Sequence, residues 1–598
     1  MRFALIGMGP TGLLALTKTF SMAKRHPHLS VTVHAFDAQA PGQGVHRSDQ
    51  PQYLRLNTVA EQLSMFEDGD FSLFPRHAFR PTLYEWMAHE HPHVVRGEQD
   101  RFAFLPRKYL GLYLQWYYTQ LLERIPVNVH FKCTCIAINA IAEEPDGRFR
   151  LVATPPPQGA YDTLLLCTGH GLLPMRGASA PSTLAYPLPD TLKAITAGST
   201  VAIQGVGLTA MDVVAALTEG RGGVFERTPA GLHYQPSGQE PLISLYSNSG
   251  MPYRARPETD EAVVRHQPLI MTQAALDQLR QGKGDHTLDF EEDLLPLLHQ
   301  EMQAAYYCAC ASQYEYSAYT YQSHYHRMRT QLQQAQANGQ LGAFLATLAR
   351  IHGPFDPRDV LACSPPDTVT ASEYPRWFFE QLHADLHESA LGCRRSPLKK
   401  SLEVWRDLRD QLCHAIDYQG LNPDAHRMFY ATFCPLINRL VAGPQKERHA
   451  ELLALIECGV VSVLPGFDAT DSFDPTTQRH SVELKRPEPQ RFEFEYLIKA
   501  NFSAHGTRQA LLALLAPVIK PGSTPSSTAY SDFTDLHHPV FINEHLQPRT
   551  YVFGPPLEGA SYYNHYIPSL QRSRVSTALE NCLKNAFNYY NHCFTETF

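Results

Sequence analysis

The sequence has no C-x-x-C pair among its 12 cysteines. This argues against a disulfide framework and against a dithiol reductase centre. No apolar run reaches the roughly eighteen residues that a membrane helix requires, and no cleavage site follows the apolar N-terminus, so we expect a cytoplasmic protein without membrane association. The formal net charge is −8 with no block of like charges, and nucleic acid is therefore not an expected partner.

The composition is that of a soluble globular protein, with 43% hydrophobic and 18% charged residues. A chain of 598 residues is too long for one hydrophobic core and predicts at least two domains. Histidine pairs such as His324 and His326 lack a third ligand at a diagnostic spacing, so we predict no metal site. Small molecules remain the expected partners.

A dinucleotide-binding turn is predicted at the N-terminus. A short apolar strand over residues 2–6 leads into glycines that precede an Ala/Leu-rich helix, in the order Gly7, Gly9, Pro10, Thr11 and Gly12. Glycine in these places permits a tight turn, the approach of a pyrophosphate and close packing of helix on strand. The next strand, over residues 30–36, ends at Asp37, where an acid binds a ribose hydroxyl. A buried strand ending at Gly169 closes this domain, which we predict to bind FAD.

A second fingerprint follows the strand over residues 200–204. Its glycine positions and the start of its helix are Gly205, Gly207, Thr209 and Ala210. The strand that follows, over residues 242–246, does not end in an acid, and Arg254 and Arg256 come within ten residues of it. Guanidinium groups pair with the 2′-phosphate of NADP, so we predict NADPH. The alternative is that these arginines only solvate a loop.

With both fingerprints in place, the chain resembles the FAD/NAD(P)-binding flavoproteins related to the N-hydroxylating and Baeyer–Villiger monooxygenases. The resemblance is carried by residues 7–12, 56–58, 63–64, 104–114, 168–170, 205–212, 217–223, 250–257, 438–440, 443–444 and 551–556. Asn248 departs from it, since the family has an arginine in this loop. The implied fold is α/β, with two Rossmann-like dinucleotide-binding domains and a helical insertion. The implied domains are 1–190 and 490–598 for a discontinuous FAD domain, 195–265 and 440–485 for an NADPH domain, and 265–440 for the helical insertion.

The resemblance also implies functional residues. Those for cofactor binding are Asn57, Thr58, Arg107 and Gly554, and those for the substrate are Asn438, Arg439, Tyr562 and Asn564. Arg107 and Arg439 have a phosphate or a carboxylate as their implied ligand, and a structural ion pair is the alternative for either. No pattern identifies a catalytic base.

The implied activity is NADPH-dependent N-hydroxylation of a small amine or amino acid with O₂, through a flavin hydroperoxide. Some members of the family resemble aspartate N-hydroxylases. Two alternatives stay open at this point. One is an NADPH-dependent flavin reductase or oxidase with another electron acceptor, and the other is a nucleotide-binding regulatory protein without turnover.

Overall fold

The computed structural model describes residues 1–68, 72–170, 183–229, 231–315, 317–417, 419–466, 468–485, 488–500, 511, 513–515, 549–559, 562–566 and 568–595. The chain forms two compact units. The first unit is Met1–Arg176 with Phe502–Phe598, and the second is Gly177–Asn501. From the sequence, the corresponding divisions are expected near residues 190 and 490.

The first unit is built on a five-stranded parallel sheet in the order β17-β6-β1-β2-β3. Its strands are β1 (Arg2–Ile6), β2 (Val31–Asp37), β3 (Val129–Cys135), β6 (Thr163–Leu166) and β17 (Thr550–Val552). All four residues of β6 are buried, as expected for a parallel strand covered on both faces. An antiparallel hairpin of β4 (Ala140–Glu143) and β5 (Phe149–Val152) is attached.

The α-helices named in the described part of this unit are α1 (Pro10–Arg25), α2 (Leu83–Glu90), α3 (Arg107–Leu122) and α16 (Arg574–Thr595). Helix α16 packs on α1. Lys18 of α1 is almost fully buried, and its Nζ lies 2.9 Å from a carboxylate oxygen of Glu67 and 3.0 Å from one of Glu580. The C-terminal helix is therefore tied to the N-terminal one by a buried ion pair as well as by apolar contacts.

The second unit has its own five-stranded parallel sheet, in the order β12-β11-β8-β16-β7. The strands are β7 (Thr183–Leu184), β8 (Thr200–Gln204), β11 (Leu242–Tyr246), β12 (Val461–Val463) and β16 (Tyr496–Lys499). Strand β16 thus pairs within the second unit, although the sequence analysis assigns residues from 490 to the returning FAD segment. Two antiparallel additions are β9 (Val224–Thr228) with β10 (Gly231–Gln235), and β13 (Thr470–Asp474) with β14 (Arg479–Leu484) and β15 (Gln490–Phe494).

The predicted helical insertion lies between β11 and β12. Helix α4 (Leu208–Leu217) precedes it, and the later helices are α5 (Gln273–Gln281), α6 (Leu295–Cys310), α7 (Ala318–Ala337), α8 (Leu341–His352), α9 (Tyr374–Arg395), α10 (Pro397–Leu402), α11 (Val404–Asp407), α12 (Arg409–Ile416), α13 (Pro423–Met428), α14 (Cys434–Val441) and α15 (Lys446–Glu457). Thr272 and Ser317 cap α5 and α7 with side-chain hydrogen bonds. None of the helices in the described ranges is long and apolar enough to cross a membrane.

A buried carboxylate organises the start of this insertion. Both side chains of the His266–Glu301 pair are buried, with 2.7 Å between His266 Nε2 and Glu301 Oε2. Glu301 Oε1 also accepts hydrogen bonds from three consecutive backbone N–H groups, those of residues 269–271. These donors satisfy a charge that would be costly to bury alone.

Candidate functional site: two dinucleotide-binding turns

The first glycine-rich turn joins β1 to α1. Gly7 has φ +96°, a conformation that favours glycine, and its N–H donates to Phe36 O at 2.8 Å. A β-carbon on Gly12 would collide with Gly7 O, so only glycine lets helix and strand approach this closely. Helix α1 begins after Gly9 without a side-chain cap, which leaves its N-terminus open to an anion. Pro10 and Thr11 form its first turn.

Asp37 lies beside this turn, at the carboxyl edge of the sheet. Its Oδ2 accepts from Met8 N at 2.7 Å, and its Oδ1 accepts from Gln39 N at 2.8 Å. The strand register aligns Ile6 with both Phe36 and Leu166, so Asp37 and the end of β6 lie level with the glycine turn. A fixed carboxylate next to an uncapped helix N-terminus suits the ribose and the pyrophosphate of a dinucleotide.

The loop after β2 completes this corner, and the sequence analysis did not single it out. A β-carbon on Gly9 would lie 3.2 Å from Gly44 Cα, and one on Gly111 of α3 would collide with His46 O. Burial, helped by the charge of Arg107, lowers the pKa of His46 to about 3. The signal available in the sequence was the pair Gly42 and Gly44 just after a strand.

Arg107 is placed by the strand-like segment around Arg55. Its backbone N donates to Leu54 O at 2.7 Å and its Nε donates to Arg55 O at 3.0 Å. This arrangement fixes Arg107 at the start of α3 and against Arg55, which precedes half-buried Asn57 and Thr58 by two and three residues. The three predicted cofactor residues therefore belong to one region of the first unit.

Two further glycines mark the ends of adjacent strands. Gly169 follows β6 with φ +61° and Gly554 follows β17 with φ +95°, and nothing lies within 4 Å of a β-carbon placed on either. Because Val552 is aligned with Leu166, both glycines lie at the edge that carries Gly7. Together, these residues of the first unit fit FAD.

Glu558 holds the segment that contains Tyr562 and Asn564. Its carboxylate accepts from Tyr563 N at 3.2 Å and from Asn564 N at 3.0 Å, and Tyr563 has φ +59°. Burial raises the pKa of Glu558, while these N–H groups oppose the shift. Tyr562 is buried, with 3% of its surface exposed. Glu558 is a positioning residue that no motif indicated.

The second glycine-rich turn joins β8 to α4. Gly205 has φ +121°, its N–H donates to Tyr246 O at 2.7 Å, and a β-carbon on it would lie 3.0 Å from Ala500 O. Helix α4 starts after Gly207 without a side-chain cap. Thr209 is half-buried and Ala210 fully buried. The turn therefore fits a second dinucleotide, and the strand before it has the bounds that the sequence predicts.

Arg254 and Arg256 differ in their surroundings. Arg254 is partly exposed, at 18% of its side chain, and its Nη1 lies 3.2 Å from Asp385 Oδ1. The guanidinium of Arg256 is buried, where Nη1 donates to Val441 O at 3.1 Å and lies 3.4 Å from a carboxylate oxygen of Glu403. These contacts join the Arg256 side chain to the helices of the second unit, whereas part of the Arg254 side chain stays exposed to solvent.

Asn438 and Arg439 lie on α14, in the second unit, whereas Tyr562 and Asn564 belong to the first. Asn438 is exposed. Arg439 is 4% exposed and donates to Ala362 O, while its own carbonyl accepts from Arg254 N at 2.9 Å. Burial and the neighbouring charge of Arg254 lower the pKa of Arg439 to about 10.

The fold and the two turns define a flavoprotein with separate sites for FAD and for a nicotinamide dinucleotide. A model of the FAD-NAD(P)-binding family matches residues 4–171. Nitrosuccinic acid synthase npaA of Aspergillus oryzae is 31% identical over 94% of this chain and 88% of that protein. An L-aspartate N-monooxygenase (nitrosuccinate-forming) of Streptomyces cremeus is 28% identical over 93% of this chain and 90% of that protein. The chain also aligns with the reduced form of ornithine hydroxylase from Pseudomonas aeruginosa, with a TM-score of 0.44 and 11% identity over 98% of this chain and 99% of that one.

The chain belongs to the family of FAD- and NADPH-dependent N-hydroxylating monooxygenases that contains these relatives. The predicted fold class, the use of FAD and NADPH, and the N-hydroxylating class of reaction are confirmed. Monooxygenation makes O₂ the second substrate.

Proposed function

We propose that L-aspartate is the substrate and that its amine is the group hydroxylated. The observation that carries this proposal is the similarity, over nearly the whole chain, to a nitrosuccinic acid synthase at 31% identity and to an aspartate N-monooxygenase at 28% identity. Aspartate brings two carboxylates, so its site needs more positive than negative charge.

The charges around Arg254 and Arg439 in the second unit support this proposal. Within the described part of the chain, the ion pairs of Arg254 and Lys399 both go to Asp385, and Arg439 has no carboxylate within 4 Å. His449 adds no charge at neutral pH, since burial lowers its pKa to about 4. Two cations thus share the carboxylate of Asp385 while Arg439 pairs with none in the described residues, and the excess of positive charge favours an anionic ligand.

We assign the available groups as follows. Arg439 binds a carboxylate of aspartate, and Arg254, with its exposed portion, binds the 2′-phosphate of NADPH. Arg256 is assigned a structural role because of its pairing with Glu403. The first-unit glycines, Asp37, Asn57, Thr58 and Arg107 hold FAD, and a substrate role for Tyr562 and Asn564 stays a prediction.

These assignments separate what the cofactor contributes from what the chain contributes. FAD, reduced by NADPH, supplies the oxygen chemistry when bound. The chain must bind the amino acid by its carboxylates, exclude water and favour the unprotonated amine, since only the free amine has a lone pair to react. Positive charge near the substrate disfavours a second cation and so lowers the pKa of the amine.

The test is to supply NADPH, O₂ and either aspartate, glutamate, asparagine or succinate to the FAD-loaded enzyme. We expect aspartate to give products heavier by one oxygen or more, and succinate, which has no amine, to give none. Arg439→Ala should reduce kcat/KM for aspartate by a factor equivalent to about 2–5 kcal/mol, because a buried charge pair is broken. Arg376→Ala, which removes an exposed arginine of α9, is the matched control.

Hydrogen peroxide as the sole product with every amino acid would contradict the proposal. Unchanged aspartate kinetics in Arg439→Ala would leave the reaction in place and overturn the assignment of Arg439.

A further inference from the structure

The two dinucleotide turns differ in what lies against their second glycine. In the first unit, the loop after β2 brings Gly44 to Gly9, and the nearest atom to a β-carbon on Gly9 is a backbone Cα at 3.2 Å. In the second unit, the loop after β11 brings the ring of Tyr253 to Gly207. A β-carbon on Gly207 would lie 3.1 Å from Tyr253 Cζ and 3.3 and 3.4 Å from the two Cε atoms.

The ring meets the turn at the carbon that bears its hydroxyl, because Cζ and the two Cε atoms are the three atoms nearest to a β-carbon on Gly207. The space in front of the second glycine is where the pyrophosphate of a bound dinucleotide approaches the backbone. The phenol group of Tyr253 therefore lies near the N-terminus of α4, where the free backbone N–H groups attract phosphate.

The hydroxyl is available as a donor. Tyr253 Oη makes no hydrogen bond to any residue in the described ranges, and the residue is only half-buried. Burial raises the pKa of Tyr253, so the phenol keeps its proton at neutral pH.

The backbone that follows Tyr253 is held firmly. Arg254 N donates to Arg439 O at 2.9 Å, and Ala255 N donates to Asp385 Oδ2 at 2.6 Å. A β-carbon on Gly443 would collide with Arg254 O, so this contact also requires glycine. These contacts fix the loop after β11 and so keep the ring of Tyr253 against Gly207.

We propose that Tyr253 is a cofactor-binding residue whose phenol O–H donates a hydrogen bond to the pyrophosphate of NADPH. This rests on the assignment of the second turn to NADPH. The loop of the first unit has glycine in the equivalent place, so such a donor is particular to the nicotinamide site.

The test is direct binding of NADP⁺ and of NAD⁺ to the FAD-loaded full chain by titration calorimetry. We expect Tyr253→Phe to weaken both ligands by about tenfold or more, the change typical of losing a hydrogen bond to a charged group. Both ligands should be affected equally because both have the pyrophosphate. FAD content should stay that of the wild type.

Tyr246→Phe is the matched control. The hydroxyl of Tyr246 on β11 is buried without a partner in the described structure, so its removal should leave both affinities unchanged. Equal affinities for wild type and Tyr253→Phe would overturn the inference, and a loss confined to NADP⁺ would do so too, since the hydroxyl would then meet the 2′-phosphate. Failure of the wild type to bind either ligand would instead refute the assignment of the second turn.

Discussion

Removal of the Asp385 carboxylate should strongly destabilise the second unit. This carboxylate is 2% exposed and lies 2.7 Å from Lys399 Nζ and 3.2 Å from Arg254 Nη1. It also accepts from Ala255 N at 2.6 Å. Burial opposes the charge, yet Lys399, Arg254 and His449 hold the pKa of Asp385 below its ordinary value.

Asp385→Ala leaves a fully buried lysine without its counter-charge and a backbone N–H without an acceptor. Breaking a buried pair from one side costs about 3–5 kcal/mol. Asp385→Asn should cost less, since its amide oxygen can still accept one of these hydrogen bonds. Because the folded-state pKa of Asp385 is lowered, the stability it provides is present above its unfolded pKa and is lost as pH falls through the folded one.

The assay is urea unfolding of the FAD-loaded full chain at neutral pH. Glu380→Gln on the same helix is the control, because Glu380 forms an exposed pair with Arg376 at 2.8 Å and such pairs contribute about 0.3–0.5 kcal/mol. If Asp385→Ala lowers the free energy of unfolding no more than Glu380→Gln does, the account of a buried carboxylate that neutralises Lys399 and Arg254 is wrong.

Three other predictions follow from named contacts. Gly12→Ala should lower FAD content, since its methyl group would collide with Gly7 O, whereas Gly342→Ala, with open space around it, should not; equal flavin absorbance in the two proteins would contradict this. The folded state keeps His449 neutral with a pKa of about 4 against 6.5, so stability should fall as pH drops from 6.5 to 4, by up to about 3 kcal/mol for this residue, and His449→Gln should make the melting temperature less dependent on pH in that window. Arg254→Ala should narrow the preference for NADPH over NADH in kcat/KM, whereas Arg256→Ala should mainly lower the melting temperature; an unchanged preference in Arg254→Ala would remove that residue from the cofactor site.

The sequence predicted the secondary-structure elements that local patterns of residues determine. Strands β8 and β11 fall at the residues that the apolar runs indicated. The place of Asp37 beside the first turn also followed from the spacing, because the carboxyl ends of neighbouring parallel strands meet at one edge.

Local sequence patterns could not predict which residues far apart in the chain would pair. Arg254 meets Asp385 and Arg256 meets Glu403, and both acids lie in the helical insertion more than a hundred residues away in the chain. The contact of Tyr253 with Gly207 is likewise set by tertiary packing. The two arginines after the second glycine-rich turn therefore led to the prediction of an NADPH site. The ion pairs that distinguish Arg254 from Arg256 could be seen only in the structure.

The proposed function requires that this enzyme transfer oxygen from O₂ to the amine of aspartate. The most direct measurement is to run the reaction with NADPH and aspartate under ¹⁸O₂ and to analyse the amino acid and its products by mass spectrometry. We predict a nitrogen-oxidised product that contains ¹⁸O and forms at the expense of aspartate. Consumption of NADPH with aspartate left intact and all of the label in hydrogen peroxide would contradict the claim.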